Sequence, residues 1–543
     1  MVGHVHSIPG SVLAWVPYLW QTVLFPGQSA HREASTRFAI FWLLLLPAVL
    51  LYGSLSFHLF EPDEGRYAEI PREMLARGEW IVPYLQSEPY LDKPPLLYWL
   101  VMLSYGVFGI HDWAARLVPA LAVHGTIVLT YLLGRRSLGD RPAFWGALLL
   151  ALAPGFIGMG RLLTLDSLLT FFVFTSVLAA FEAIRFRELR WRWWLLAAAA
   201  CGLGILAKGP VALVLLVPPI WAYRSLSSQR CLIPGKAHWL FAMVVLSIAL
   251  PWYLAICLRL PQFCRYFLWE HNVVRFLAPF DHLEPVWYYV PIFLVGLLPA
   301  TLWGVRFFQF LLSGNEAVRR LRIPEFGFML LAGGWCLFFF SCSGCKLPTY
   351  IMPAFPPLAL AVGYFLASSG RLTNLSTKVA FAASFFIIAV GNNLALPWYA
   401  GYRAPRAHLA QVREVCQDLK DPVLCYPRNC DSMSFYIGRD DLLCFRSKQT
   451  HLLIYFMQQR PKTVLLLTHR HSLESLRHAL TPDLRVTKVV HFGLDKLPGL
   501  SEAFSMRLVN LMGETSLGLC DLAVVERLPD AISVVSASAP VGF

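Results

Sequence analysis

From residue 38 to about residue 400 this chain repeats one pattern: an uncharged apolar run, a short polar loop, then another run. Each run is roughly 17–25 residues long, the length a helix needs to cross a bilayer core. Within that core every backbone N–H and C=O must find its partner inside the segment, so the runs must be helices. The pattern predicts a polytopic, all-α membrane protein. Composition agrees, with 57% of the 543 residues hydrophobic and only 15% charged. Alternating ten-residue segments are too few for a transmembrane barrel.

The candidate spans are 38–60, 114–134, 142–160, 164–184, 192–207, 209–224, 238–258, 286–311, 325–341, 349–367 and 379–399. That makes eleven, or thirteen if a pair is merged or missed. The net charge of +13 gathers in short loops, at 135–141, 185–192, 224–236, 306–322 and 371–378. Loops rich in Lys and Arg stay on the cytoplasmic side. All five share a side only if the apolar stretch 94–110 does not cross, so it is read as an interfacial or re-entrant helix on the outer face. No basic face is interleaved with aromatics, which argues against a nucleic-acid partner. Residues 1–37 read as a cytoplasmic, interfacial segment without a cleavable signal, its apolar stretch 11–25 lying along the membrane.

Residues 401–543 differ in composition. Charge rises and apolar runs shorten, with strands expected at 423–426, 463–467, 486–492 and 519–525 and helices at 407–419 and 472–480. This predicts a small soluble α/β domain on the outer face, ending in a weakly structured tail at 533–543. Its five cysteines (416, 425, 430, 444, 520) leave the pairing open.

With this topology the unusual polar residues fall in or beside the outer loops at 61–113, 161–164, 207–209, 259–285 and 342–348. Ionisable groups near membrane depth are costly, and sorting them to one face points to a site open to that face. In Glu61-Pro-Asp-Glu-Gly-Arg-Tyr-Ala-Glu-Ile70, a helix would put Asp63, Arg66 and Tyr67 side by side. Asp63 and Glu64 are candidate catalytic carboxylates, suited to taking a proton or holding a divalent cation. The bland alternative is a solvated juxtamembrane helix with weak ion pairs. In Tyr90-Leu-Asp-Lys-Pro-Pro95 the prolines stiffen the turn, so Lys93 and Tyr90 can meet a phosphate, against the alternative of a snorkelling lysine. Asp166 is either a second acid of the site or a helix-capping residue. In Glu270-His-Asn-Val-Val-Arg275, Arg275 suits a phosphate and His271 suits a metal or is an ordinary loop histidine. Cys342-Ser-Gly-Cys-Lys-Leu-Pro-Thr-Tyr350 offers Lys346 and Tyr350 beside a single Cys-x-x-Cys pair, a weak redox or metal signal.

Taken in order, several motifs carry a resemblance. They are Asp63-Glu-Gly-Arg-Tyr-Ala-Glu-Ile-Pro-Arg-Glu-Met74, Asp92-Lys-Pro-Pro-Leu-Leu-Tyr-Trp99, Arg116-Leu-Val-Pro119, Gly160-Arg-Leu-Leu-Thr-Leu-Asp166, Ala207-Lys-Gly-Pro210, Glu270-His-Asn272 and Lys346-Leu-Pro-Thr-Tyr350. Together they resemble the lipid A aminoarabinose transferases and the wider protein-mannosyltransferase-like family, membrane glycosyltransferases of the GT-C class. The resemblance implies a GT-C transmembrane domain over 38–400 and inverting transfer of one sugar from a polyprenyl (undecaprenyl) phosphate carrier. It places the site on the outer, periplasmic face of the inner membrane. Lipid A is the acceptor it suggests; a protein acceptor, or a lipid-linked-sugar transporter without catalysis, are the alternatives. By family role Asp63 and Asp166 are the acids of the site. Lys93, Arg275 and Lys346 would hold the carrier phosphate, with Arg66, Tyr67, Tyr90 and Tyr350 around it. Asp92 and His271 fall where the family binds a divalent metal, zinc or magnesium, although Asp92 is shorter than the usual Glu.

Overall fold

The computed structural model describes residues 29–227, 231–278, 282–403, 409–417, 419, 421–469, 472–491 and 521–528. The expected stretch at 11–25 and the tail at 533–543 lie outside these.

The membrane part runs through α1 (Ser29–Tyr52), α2 (Asp63–Arg77), α3 (Leu96–Phe108), α4 (Asp112–Leu138) and α5 (Asp140–Ala151), the last bent by 64° into α6 (Pro154–Gly160). Next come α7 (Leu165–Ile184), α8 (Trp191–Lys208), α9 (Val211–Leu226) and α10 (Gly235–Arg259). A π-helical segment, Cys264–Val274, follows. Two helices bent by 102°, α11 (Val286–Gly296) and α12 (Ala300–Leu312), precede α13 (Pro324–Cys342), α14 (Pro348–Ser368) and α15 (Leu375–Ala400).

Every predicted span overlaps one helix or one bent pair, but the helix of the first, expected to run to residue 60, ends at Tyr52. Among the described residues, six helices are long and apolar enough to cross a bilayer alone, and eight spans result if each bent pair counts as one. The other three predicted spans correspond to α1, α8 and α9, which are helical but miss that threshold by length or composition. At 13 residues α3 is too short to cross, as expected of an interfacial helix, and it leaves Leu103, Val107 and Phe108 exposed.

α7 and α14 form the centre, while α10 and α15 turn most of their apolar surface outward. Lipid gives helices no hydrophobic reason to associate, so close backbone approach has to supply the contact. Gly363 of α14 shows this: a Cβ there would lie 2.4 Å from the backbone nitrogen of Gly146 in α5. At the basic end of the bundle, buried Glu182 gathers Arg136, Arg185 and Arg190 at 3.2, 3.3 and 2.5 Å.

Beyond residue 403 lies the α/β domain, with α16 (Leu409–Gln417), β3 (Leu424–Tyr426), α17 (Asp431–Ile437), β4 (Leu443–Cys444), α18 (Thr450–Gln458), β5 (Lys462–Leu467), α19 (Ser472–Ala479), β6 (Leu484–His491) and β7 (Asp521–Arg527). β1 (Tyr84–Leu85) and β2 (Glu88–Pro89) form a separate small hairpin between α2 and α3. The domain's five strands make one sheet in the order β4-β3-β5-β7-β6. β4, β3 and β5 are parallel, and β7 runs antiparallel to both β5 and β6. The four strands expected from the sequence are all present, and so are both helices. The sheet's two faces carry separate apolar clusters, one under α16 and one under α18 and α19.

Candidate functional site: acids and cations at one end of the bundle

The loop from α1 into α2 is fixed by a buried ion pair. Arg116 of α4, fully buried, meets both carboxylate oxygens of Glu64, from Nε at 2.8 Å and Nη2 at 2.7 Å. Its remaining N–H groups donate to the carbonyls of Leu55, Phe57 and His58. Glu64 also accepts from the backbone nitrogens of Phe60 at 3.0 Å and Leu163 at 2.7 Å. All its acceptor capacity is therefore spent on structure. The expectation that Glu64 is a catalytic acid is corrected: adjacent residues on a helix point about 100° apart, and Glu64 faces the core. Asp63 instead opens α2 with its side chain half exposed.

α2 begins after Pro62 with two acids in its first turn, ends with Arg77, and closes on Gly78 at φ 64°. Each feature suits the helix dipole and the left-handed cap. Along it Arg66 reaches three groups. Its guanidinium is 3.9 Å from Asp63, 3.4 Å from the Tyr90 hydroxyl and 3.9 Å from Asp431 of the α/β domain. Tyr67 is buried, and burial keeps its phenol protonated well beyond the usual range.

The Asp92-Lys93-Pro-Pro turn meets the π-helical segment. Lys93 Nζ lies 2.8 Å from His271 Nε2, and the Tyr266 hydroxyl donates to Asp92 at 2.6 Å. A π-helix bonds i to i+5, which puts Tyr266 and His271 on one side of the segment; their rings are 6.1 Å apart. Tyr266 carried no role in the sequence, because a five-residue period is not anticipated there.

A third group comes from the ends of α7 and α8. Lys208 Nζ, at the α8 C-terminus, is 2.5 Å from Asp166 in the first turn of α7. The same ammonium stands 4.2 Å from the ring centre of Tyr350. Lys208 was expected in an outer hairpin but without a role.

These groups adjoin. Lys93 is within electrostatic reach of Lys208, Asp92, Arg275 and Asp166. Tyr98 is within reach of Tyr90, Asp92, Arg66 and Asp63. Burial, with Lys208 adding repulsion, pulls the Lys93 ammonium down to about 8. Burial and the Lys93 charge push the His271 imidazole down to about 3, so it is neutral. Burial alone would raise Asp92, but the Tyr266 hydrogen bond and the nearby Lys93 ammonium hold it below the usual carboxylate range. Around Lys93 the cations of Lys93, Lys208 and Arg275 outnumber the carboxylates of Asp92 and Asp166, which is the balance a site for an anion needs.

Two expectations do not fit this geometry. Lys346 is buried and gives its ammonium to the carbonyls of Glu284 at 2.8 Å and Ser343. It ties two loops together instead of reaching a phosphate. Asp92 and His271 do not form a metal cradle as they stand, since Lys93 occupies His271 Nε2 and Tyr266 occupies an Asp92 oxygen. No group of three or more His, Cys, Asp or Glu able to hold a metal occurs among the described residues. The Cys-x-x-Cys pair is split, with Cys342 exposed and Cys345 buried. Near the site the Cys257–Cys264 disulfide ties the last turn of α10 to the start of the π-helical segment.

The family model for dolichyl-phosphate-mannose-protein mannosyltransferases matches residues 33–267. An undecaprenyl phosphate-alpha-4-amino-4-deoxy-L-arabinose arabinosyl transferase of Pseudomonas fluorescens is 33% identical over 393 residues, 68% of this chain and 66% of the relative. The enzyme of that name from Edwardsiella ictaluri is 35% identical over 350 residues, 62% of this chain and 59% of the relative. The chain belongs to the aminoarabinose-transferase and protein-mannosyltransferase-like family of the GT-C class. It spans less than two thirds of these relatives' own length. The GT-C fold is also seen in the crystal structure of ArnT from Cupriavidus metallidurans bound to undecaprenyl phosphate. That structure has a TM-score of 0.67 at 19% identity, covering 88% of this chain and 97% of that one. Its apo form gives a TM-score of 0.70, covering 93% and 100%. The mannosyltransferase family match contains Asp63, Lys93, Asp166 and Lys208 and stops short of His271, Arg275 and Tyr350.

Proposed function

We propose that this chain transfers one pentose of the aminoarabinose type from undecaprenyl phosphate to a phosphate of lipid A. The reaction would take place at the periplasmic face of the inner membrane. The observation that carries the reading is the convergence of Lys93, Lys208 and Arg275 with Asp92 and Asp166 at one end of the bundle, where Asp63 joins them through Arg66 and Tyr90. A solved relative of the same fold binds undecaprenyl phosphate. Two features support the outer face. The basic loops belong to the opposite helix ends, and the Cys257–Cys264 disulfide at the site end suits an oxidising compartment.

In this reading an oxygen of the acceptor phosphate attacks the sugar's anomeric carbon from the side opposite the carrier. The bond from that carbon to the carrier's phosphate oxygen breaks, and undecaprenyl phosphate leaves with the bonding pair. Configuration inverts. The leaving group gains negative charge, which the fixed cations of Lys93, Lys208 and Arg275 stabilise without reorganising. Asp63 and Asp166 favour the positive charge that develops on the sugar ring. An acceptor phosphate is already an anion and needs no base. A second reading, transfer to a protein hydroxyl, draws on the mannosyltransferase family match and on the half-exposed Asp63, which would then serve as the base.

The test is purified chain with the undecaprenyl-phosphate-linked aminoarabinose and lipid A, read by mass spectrometry. The expected result is a pentosamine added to a lipid A phosphate, lost in Asp63→Asn. Modification of protein and not of lipid A selects the second reading. Movement of donor across vesicles with no product would mark a transporter and overturn both.

A further inference from the structure

The α/β domain reaches into the site. α17 packs on α2 so closely that a Cβ on Gly65 would lie 2.5 Å from the backbone nitrogen of Ser432 and 2.7 Å from Glu61. Further contacts fix this docking. The Tyr436 hydroxyl accepts from the Leu59 nitrogen at 3.0 Å, and its ring stacks on His58 at 4.9 Å. Gln86 accepts from the Leu442 nitrogen and the Ser434 hydroxyl, both at 3.1 Å.

At the centre of this contact are two buried carboxylates, Glu61 and Asp431. Glu61 accepts from the Ser432 nitrogen at 2.6 Å. Its other oxygen, and Oδ2 of Asp431, are buried with no hydrogen-bond partner among the described residues. The nearest cation to Asp431 is Arg66, at 3.9 Å, the same distance as Arg66 to Asp63. Arg66 is thus held between an acid of the site and an acid of the α/β domain.

We propose that Asp431 is a positioning residue for Arg66, so that the α/β domain completes the transfer site. The inference rests on the proposed transfer. Asp431 draws the guanidinium toward Tyr90 and away from Asp63, leaving the Asp63 carboxylate to face substrate. Without that pull, Arg66 closes on its neighbour one turn back and neutralises it. Asp431 is faced by Glu61, Arg66 and Glu73 from α2 and the loop before it, by Gln86 from the hairpin, and by Cys425, Cys430 and Cys444 from its own domain. Burial raises Asp431 to about 6 and, with the Asp431 charge, raises Glu61 to about 8. One proton therefore rests on Glu61 near neutral pH while Asp431 keeps its charge for Arg66.

The test uses full-length protein and compares wild type, Asp431→Asn, Asp431→Glu, Glu61→Gln and Asp440→Ala, with each melting temperature recorded. Asp440→Ala removes an exposed docking contact to Arg77 far from Arg66. Asp431→Asn is expected to lower kcat by about tenfold or more, with undecaprenyl phosphate binding unchanged, and Asp431→Glu to recover part of it. Wild type loses kcat as pH falls through about 6, where Asp431 gains its proton. Asp431→Asn lacks that limb, and Glu61→Gln, which should fold whatever Asp431→Asn does and replaces a carboxyl already neutral at that pH, keeps it. Wild-type kcat and an unchanged limb in Asp431→Asn, a limb missing from Glu61→Gln, or an equal loss in Asp440→Ala overturns the proposal alone. A wild-type chain that transfers nothing overturns the functional reading with it.

Discussion

Asp63 and Glu64 are neighbours in sequence and opposites in structure, and replacing each in turn separates a site residue from a structural one. Removing Arg116, for example with Arg116→Met, leaves the buried Glu64 charge with only the Phe60 and Leu163 nitrogens and three carbonyls short of a donor. Breaking a buried ion pair on one side costs about 3–5 kcal/mol. Each kcal/mol shifts the melting temperature of a sizeable domain by a few degrees, so the fall should be roughly 10 °C. Glu64→Gln keeps the shape but loses the charge that Arg116 needs, and should also destabilise strongly. Asp63→Asn changes a half-exposed side chain whose cation is 3.9 Å away, and should stay within about 0.5 kcal/mol of wild type. The assay is thermal unfolding in detergent by tryptophan emission, paired with sugar transfer. Asp63→Asn should melt like wild type and be inactive. The reasoning is refuted if Asp63→Asn loses as much stability as Glu64→Gln, or if Arg116→Met melts within about 2 °C of wild type.

Binding of an anion should protonate Lys93. Its ammonium, held at about 8 in the free site, rises beside a phosphate, so at pH 8 binding takes up close to half a proton. Calorimetry of undecaprenyl phosphate in buffers of different ionisation enthalpy measures this, and Lys93→Met should abolish the uptake. Glu61 has its folded value raised to about 8, so the folded state holds a proton that the unfolded chain releases above its ordinary range, near 4.5. Docking of the α/β domain therefore weakens as pH rises from about 4.5 to 8, by on the order of a few kcal/mol, and then levels. Proteolysis at the domain junction should speed up over that window in wild type and stay flat in Glu61→Gln. Because Lys93 occupies His271 Nε2, His271→Gln should leave thermal stability unchanged in the presence or absence of added zinc; a zinc-dependent stabilisation seen in wild type and lost in His271→Gln would contradict the arrangement.

The bundle was largely legible because bilayer thickness fixes helix length, and basic loops fix which ends share a side. That logic placed 94–110 at the interface and Asp63, Lys93, Asp166 and Arg275 toward one end. It did not give each residue's direction. Whether Glu64 faces the site depends on Arg116, 52 residues away. Whether Lys346 is available depends on the carbonyls of Glu284 and Ser343. Tyr266 was hidden by a π-helical period, and Lys208 by its place in an otherwise apolar hairpin. Asp431 was the least visible, 365 residues from Arg66 in a domain whose strands could be read but whose docking surface could not. Gly65 was its faint signal, a small residue where two backbones meet.

The central claim is that residues dispersed from Asp63 to Tyr350 form one pocket for a carrier-lipid phosphate. The most direct measurement is the affinity of undecaprenyl phosphate for purified wild type and for Lys93→Met, Lys208→Met and Arg275→Met, each alone and in pairs. The account predicts that every single change weakens binding and that paired losses are non-additive, as they are for groups sharing one anion. Unchanged affinity in all three single variants, or strictly additive losses, would show that these cations do not meet on the same phosphate.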